Sequence, residues 1–366
     1  MSIDANGVLT LAPNTTSGTY TITYQLCESG TTVACSNFDT ATATVVVLNP
    51  IDAVVDTFPT QTPSTTVATT VGSVLSNNGS GADTLNGVAA TTTNTDVTPI
   101  TTGPLSIDAN GVLTLAPNTT SGTYTITYQL CESGTTVACS NFDTATATVV
   151  VLNPIDAVVD TFPTQTPSTT VATTVGNVTD NDTLNTLGVT AANTDVTPIT
   201  TGPLSIDANG VLTLAPNTTS GTYTITYQLC ESGTTVACSN FDTATATVVV
   251  LNPIDAVVDT FPTQTPSTTI PTAVGNVTDN DTLNTLGVTA TNTDVTPITT
   301  GPLSIDANGV LTLAPNTTSG TYTITYQLCE SGTTVACSNF DTATATVVVL
   351  NPIDAVVDTF PTQTPQ

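Results

Sequence analysis

Lysine, arginine and histidine are all missing from this sequence, while aspartate and glutamate number 28, so the formal net charge is -28. A chain without cations has nothing with which to neutralise phosphates, and its field repels nucleic acid. General-base and nucleophile-activating arrangements built on His or Lys are excluded, as are phosphate clamps built on Arg or Lys. Tryptophan is absent and aromatics reach only 4%, so cores must be assembled from Val, Ile, Leu and Ala, which suits small domains. No run of about 18 apolar residues occurs, so the segment is not expected to insert in a membrane, and no stretch reads as a signal peptide. Charged residues are few (8%) beside 39% hydrophobic ones. That balance belongs to a folding chain and not to an acidic disordered tail.

What the sequence does contain is repetition. The phrase YQLCESGTTVACSNFDTATATVVVLNPIDAVVDTFPTQTP at 24–63 returns unchanged from Tyr128, Tyr227 and Tyr326. Ser106 to Ser205 and Ser205 to Ser304 are each 99 residues, and Ser2 to Ser106 is 104. Units of this size are domains, since solenoid coils run about 20–50 residues. The copies differ almost only in 67–97, 171–196 and 270–295, and the length changes fall among Asn, Gly, Asp and Ser, as insertions at turns should.

Each copy reads as short strands. GTYTITYQL at 122–130 alternates, with Tyr124, Ile126, Tyr128 and Leu130 on one face and Thr125, Thr127 and Gln129 on the other. TATATVVVL at 144–152 sets out Ala145, Ala147, Val149 and Val151 in the same way, and Asp-Ala-Asn-Gly within 105–117 is a hairpin signal. Abundant Thr and Val favour pleated strands. The expected fold is all-β: tandem Ig-like β-sandwiches of about seven strands each, arranged as a linear rod. Pro50, Pro154, Pro253 and Pro352 mark stiff joints. The frame is then 1–49 as the C-terminal part of one repeat, complete repeats at 50–153, 154–252 and 253–351, and 352–366 as the first strand of another, a segment of a longer array.

NVTDNDTLN, GPLSIDANGVLTLAPNTTSGTYTITYQLCESG and ATATVVV together resemble the Ig-like or cadherin-like tandem repeats of large bacterial surface proteins. The Cys-bearing form is most similar to giant cell-surface adhesins of Bacteroidota, including the filament adhesins of gliding motility exported by the type IX system. The resemblance covers essentially every copy and implies an extracellular, cell-surface stalk whose partners are neighbouring repeats, like filaments, and a surface or glycan receptor. The function expected is that of a non-enzymatic filament segment that transmits tension. Two other readings are a fibre joined by donor-strand exchange, with 353–360 as donor, and a passive spacer in a surface enzyme.

Several residues then acquire candidate roles. Cys27/Cys35, Cys131/Cys139, Cys230/Cys238 and Cys329/Cys337 stand eight apart across a turn, which favours local disulfides over free thiols or bridges between chains. Zinc needs more ligands than two thiols. Asp180, Asn181 and Asp182, with Asp279, Asn280 and Asp281, cluster oxygens that suit Ca²⁺, joined by Asp156 and Asp160 or Asp255 and Asp259; Asx residues also cap turns without metal. Thr40, Thr84, Thr144, Thr183, Thr243, Thr282 and Thr342 follow Asp and precede a small or aliphatic residue, which resembles the O-glycosylation signal of Bacteroidota. Asn118-Thr119-Thr120 is a formal N-linked sequon. Thr rows lack the flat stacked coils of an ice-binding face and instead give strands an outer polar surface that resists aggregation. No carboxylate pair lies in an aromatic cleft, so catalysis is not expected.

Overall fold

The computed structural model describes residues 1–364, so the strand expected at 352–366 runs into two positions outside the described residues. The chain forms two compact units: Met1–Asp156 with Asp182–Asp195 and Cys230–Asp242, and Ala157–Asn181 with Val196–Leu229 and Thr243–Gln366. The fold is all-β, a series of tandem sandwiches.

The stretch 50–153 lies within the first unit and shows the plan. Seven strands have three residues or more: Asp56–Gln61, Thr69–Ser73, Thr95–Pro99, Leu105–Ile107, Val112–Leu115, Gly122–Glu132 and Phe142–Val151. Ile51–Asp52, Thr84–Leu85 and Val88–Ala89 form a further small sheet at one end. Thr95–Pro99, Gly122–Glu132, Phe142–Val151 and Asp56–Gln61 make a four-stranded sheet in that order, facing a three-stranded one built from Leu105–Ile107, Val112–Leu115 and Thr69–Ser73.

Alternation sets what is inside. Ile126, Tyr128 and Leu130 are buried, and so are Ala145, Ala147, Val149 and Val151 on the adjacent strand. Register places Tyr128 opposite Ala145 and Ile126 opposite Ala147, so each large side chain faces a small one, as close packing requires. On the outer face Thr125 and Thr148 are directly opposite, with their hydroxyls 3.2 Å apart. The Asp108–Gly111 turn closes because the Asp108 carboxylate accepts the Asn110 and Val112 amides at 2.9 Å, and Gly111 takes φ +77°.

The pairing that makes the unit a closed sandwich is parallel. Asp56–Gln61, near the start of the copy, pairs with Phe142–Val151 at its end, and the ladder shifts register between Val149 and Val151. Pro59 lies at that irregularity, where its missing N–H leaves no gap in the ladder. Phe58 just before it turns inward over Gly72. A Cβ at Gly72 would stand 2.8 Å from Phe58 Cε1, and Gly176 and Gly275 hold the same relation to Phe162 and Phe261 at 2.5 Å. In the second unit, 253–351 repeats the strand plan, and Tyr326 takes the core place of Tyr128.

The same letters behave differently where sheet partners are lacking. Gly18–Cys27 pairs only with Phe38–Val47, and Tyr24 is half-buried where Tyr128 is fully buried. Ile353, the first residue of the expected donor strand, is 95% exposed, and residues 351–364 form no strand, although Ile51–Asp52 and Asp56–Gln61 have the same sequence. A strand needs a ladder, and 351–364 has none here.

Gly72→Ala is expected to destabilise the 50–153 sandwich by roughly 1–3 kcal/mol, the usual cost of forcing an extra methyl into a packed core. A urea titration of the full chain, read by Tyr fluorescence, checks this; an unchanged midpoint would show that the Phe58 ring yields without strain.

Candidate functional site

Glutamate is rationed to one per copy, always after the first cysteine: Glu28, Glu132, Glu231 and Glu330. The last three are buried. Glu231 ends the strand Gly221–Glu231, and its amide donates to Asn240 O at 2.9 Å, so Asn240 stands beside it just before the strand Phe241–Val250. The preceding copy supplies the other wall. Pairing of Gly122 with Val151 sets Ser121 next to Asn153, whose amide donates to Ser121 Oγ at 2.8 Å.

These residues enclose the carboxylate. Glu231 Oε1 accepts from Ser121 N at 3.0 Å and from Asn153 Nδ2 at 2.6 Å, and Oε2 accepts from Asn240 Nδ2 at 2.6 Å. Asn240 also donates to Asn153 O at 2.7 Å. The cluster recurs with Glu330, Ser220, Asn252 and Asn339, and with Glu132, Ser17, Asn49 and Asn141. Each cluster is thus a junction between consecutive copies, set at the Asn of the Asn-Pro dipeptide. Both Nδ2 hydrogens of Asn153 are engaged, by Thr119 O and Glu231, which fixes its amide and leaves Oδ1 buried without a donor; Asn252 Oδ1 is left the same way.

The disulfides belong to this junction. All four pairs are bonded, with Cα atoms 4.9–5.0 Å apart. The loops closed by the last three reach back to the preceding copy: Thr16, Thr120 and Thr219 donate from Oγ1 to Gly134 O, Gly233 O and Gly332 O at 3.3, 3.2 and 3.1 Å. Thr136, Thr235 and Thr334 of the same loops lie over Gly18, Gly122 and Gly221, where an added Cβ would meet the threonine at 2.6–2.9 Å. Glycine there is a requirement of close approach. A separate contact comes from Asn185 and Asn284, whose Nδ2 atoms donate to Pro63 O and Pro167 O at 2.9 Å.

A second acidic cluster lies inside each sandwich. Tyr128 OH is 3.0 Å from Asp56 Oδ2, 3.2 Å from Asp83 Oδ2 and 3.2 Å from Val54 O. Both aspartates are buried. Tyr326 OH similarly faces Asp259, Asp281, Val257 O and Val277 O at 3.0–3.4 Å. One phenolic hydrogen serves one acceptor at a time. Burial pushes Asp83 up to about 6 against the opposing hydrogen bond from Val54, and pushes Asp56 up as well.

The residues expected to bind calcium divide between surface and core. Asp180, Asn181, Asp279 and Asn280 are exposed, while Asp182 and Asp281 turn inward. Asp281 Oδ1 accepts Val257 N at 2.7 Å, and its Oδ2 lies 3.1 Å from Tyr326 OH. Among the described residues no group of three or more acidic, Cys or His side chains is disposed to hold a metal. In each Asp-Asn-Asp turn the third residue is buried, and Asp281 ties its turn to the core. Of the candidate glycosylation positions, Thr40, Thr144, Thr243 and Thr342 are exposed, and Thr84, Thr183 and Thr282 are half-buried in short strands.

Sequence reasoning misses the junction residues, although one signal is present: the only glutamates in an aspartate-rich chain sit beside cysteines. No protein-family profile matches the chain, and no curated protein matches it. Among solved structures it is similar to the human desmocollin-1 ectodomain (11% identity, 87% of this chain and 65% of that one, TM-score 0.26). It is also similar to Drosophila N-cadherin EC1-3 (9%, 82% and 99%, 0.31) and EC1-4 (10%, 96% and 89%, 0.25). The chain spans just under two thirds of the desmocollin-1 ectodomain.

The two clusters respond to pH in opposite senses. The raised folded-state values of Asp56 and Asp83 mean that the folded copy binds a proton more tightly than the unfolded chain, so its stability rises as pH falls from about 6 toward 4. Glu132 runs the other way: burial pushes it up, but hydrogen bonds from Ser17, Asn49 and Asn141 outweigh this and hold it below its ordinary value of 4.5. Its contribution is complete above that value and is lost as pH falls through the lowered one. Stability of the 50–153 sandwich is expected to rise as pH falls from about 6 and to turn over only below 4.5, where Glu132 begins to lose its contribution; thermal melts from pH 3 to 8 check this, and a steady rise to pH 8 contradicts it. Separately, Glu231→Ala leaves the Asn153, Asn240 and Ser121 donors without an acceptor, at about 1–3 kcal/mol each where water does not replace it. Hydrogen exchange at the Ser121 amide should accelerate strongly in this variant; unaltered protection there would mean that the carboxylate contributes nothing to the junction.

Proposed function

We propose that this chain is a structural segment of an extracellular adhesive filament, in which successive sandwiches pass tension from one to the next through their junctions. One observation carries the reading: the same buried Glu–Asn–Ser–Asn cluster closes between copies at three places, always beside a disulfide loop of the later copy docked on the earlier one. Four disulfides and no free cysteine among the described residues favour an oxidising, extracellular setting. Parallel pairing of the first and last long strands of a copy suits load bearing, since pulling on both ends of a sandwich then loads the ladder in shear. The resemblance to bacterial surface adhesins supports a cell-surface location, and the type IX gliding adhesins are the particular form that this reading favours. Exposed Thr40, Thr144, Thr243 and Thr342 are the preferred glycan acceptors, which intact-mass spectrometry of the natively expressed chain would reveal.

Single-molecule pulling tests the mechanical role. Complete copies should rupture one at a time, each releasing its 99 residues (104 for 50–153) less the eight-residue disulfide loop, or ~320–340 Å at ~3.5 Å per residue. Extension without discrete ruptures would remove the mechanical reading.

A further inference from the structure

Each junction is made at two levels of the disulfide loop. Glu132 and Asn141 stand at its base, where the sheet holds them: Glu132 pairs with Thr95, and its amide donates to Asn141 O at 3.0 Å. Gly134 and Thr136 stand at its tip, beyond the ladder, and make the contacts with Thr16 Oγ1 and Gly18. Base and tip therefore have different supports.

The tip is shaped by the sulfur bond. Cys35, Cys139, Cys238 and Cys337 all have φ between +51° and +56°, the left-handed region in which an L side chain crowds its own carbonyl. The loop Cys27–Cys35 docks on nothing here, yet its second cysteine has the same φ of +56° and its Cα atoms are 4.9 Å apart against 5.0 Å elsewhere. Loop shape is thus internal to the loop and does not come from the neighbouring copy. The bond is also reachable, because Cys131 is buried while Cys139 is only half-buried at the surface.

We infer that each disulfide is a redox-sensitive latch on the junction: with the bond intact the loop tip is held on the Thr-Ser-Gly ledge of the preceding copy, and with the bond reduced the tip releases while the glutamate cluster at the base stays closed. With the tip released, a junction keeps its glutamate cluster and, at two of the three, the Asn185–Pro63 or Asn284–Pro167 hydrogen bond, and it turns more freely than when the loop holds it as well. This goes beyond transmission of tension, since it makes the coupling between copies adjustable without unfolding either one. A small dithiol is the reductant. Its thiolate attacks the Cys139 sulfur and Cys131 leaves as a thiolate that takes up a proton. The second thiol then attacks the mixed disulfide, Cys139 leaves as a thiol, and the reagent departs as its cyclic disulfide; two electrons and two protons have passed to the protein.

The test compares the oxidised full chain with the chain reduced by dithiothreitol and alkylated, using circular dichroism, amide hydrogen exchange and small-angle scattering. Strand content and protection of the Ser121 and Ser220 amides should be kept, exchange at the Ser239 and Ser338 amides, which donate to Val236 O and Val335 O of the loop, should quicken by about tenfold or more, and the distribution of molecular dimensions should broaden. The triple variant Thr136→Ala, Thr235→Ala, Thr334→Ala, with its disulfides intact, should broaden that distribution in the same way. Scattering that does not change on reduction overturns the latch. So does loss of strand signal on reduction, which would make the disulfide a staple of the sandwich itself, and so does a triple variant that scatters like the parent.

Discussion

A carboxylate taken out of water in a protein with no cationic side chain has two ways to be tolerated: enough neutral donors to replace its hydration, or a proton. Glu132 takes the first. Its oxygens are met by the Ser17 amide and the Asn49 and Asn141 side chains, which hold it below its ordinary value, and those donors come from two consecutive copies. The shell around the charge is therefore complete only when the copies are joined, which ties the chemistry of one residue to the arrangement of a hundred-residue module. Hydrogen bonds to a charged group contribute about 1.5–3 kcal/mol each, and their directionality fixes how the ledge and loop meet.

The core favours the second way, since burial raises both Asp56 and Asp83. Asp56 and Asp83 both turn an oxygen toward Tyr128 OH, whose single hydrogen satisfies one of them. A proton on the pair lets the other carboxyl donate to the phenol oxygen while the phenol donates onward, so that all three groups are paired. An arginine would do the same work in most proteins, and its absence here moves the task to solvent protons. The two devices differ in sign because one stabilises the ionised form and the other the neutral form. Neither depends on exposed charges, so salt should affect them less than it affects surface pairs.

Much of the sandwich is legible in the chain. Alternation in GTYTITYQL and TATATVVVL assigns Ile126, Tyr128, Leu130 and the Ala145 to Val151 series to the core, and Asp108 to Gly111 announces its turn. The parallel contact of Asp56–Gln61 with Phe142–Val151 is hidden, because nothing local records a partner some ninety residues away. Periodicity reports which face of a strand is apolar and is silent on what lies beside it. The junction is hidden for a related reason: Ser121, Asn153 and Asn240 are ordinary turn residues by composition, and only their convergence on one glutamate gives them a role. Local turn chemistry is also silent on the inward contact of Asp281 with Tyr326, because the partner lies 45 residues along the chain.

Because the same phrase is printed four times, the chain contains its own control for what sequence alone determines. Tyr128, Tyr227 and Tyr326 are fully buried, while Tyr24, in identical local sequence, is half-buried beside a single paired strand. The letters of Asp56–Gln61 make a strand against Phe142–Val151 and make none at 358–363. The hairpin Gly18–Cys27 with Phe38–Val47, by contrast, keeps the register of 122–151 and 320–349, and the second cysteine of the disulfide loop has the same backbone in all four copies. Local pairing and the sulfur bond are therefore written in the phrase itself, whereas burial of the tyrosine and the parallel strand require the rest of the sandwich. A module built this way has an element that forms from near neighbours, the hairpin and its loop, and it is this element that reaches back to the preceding copy.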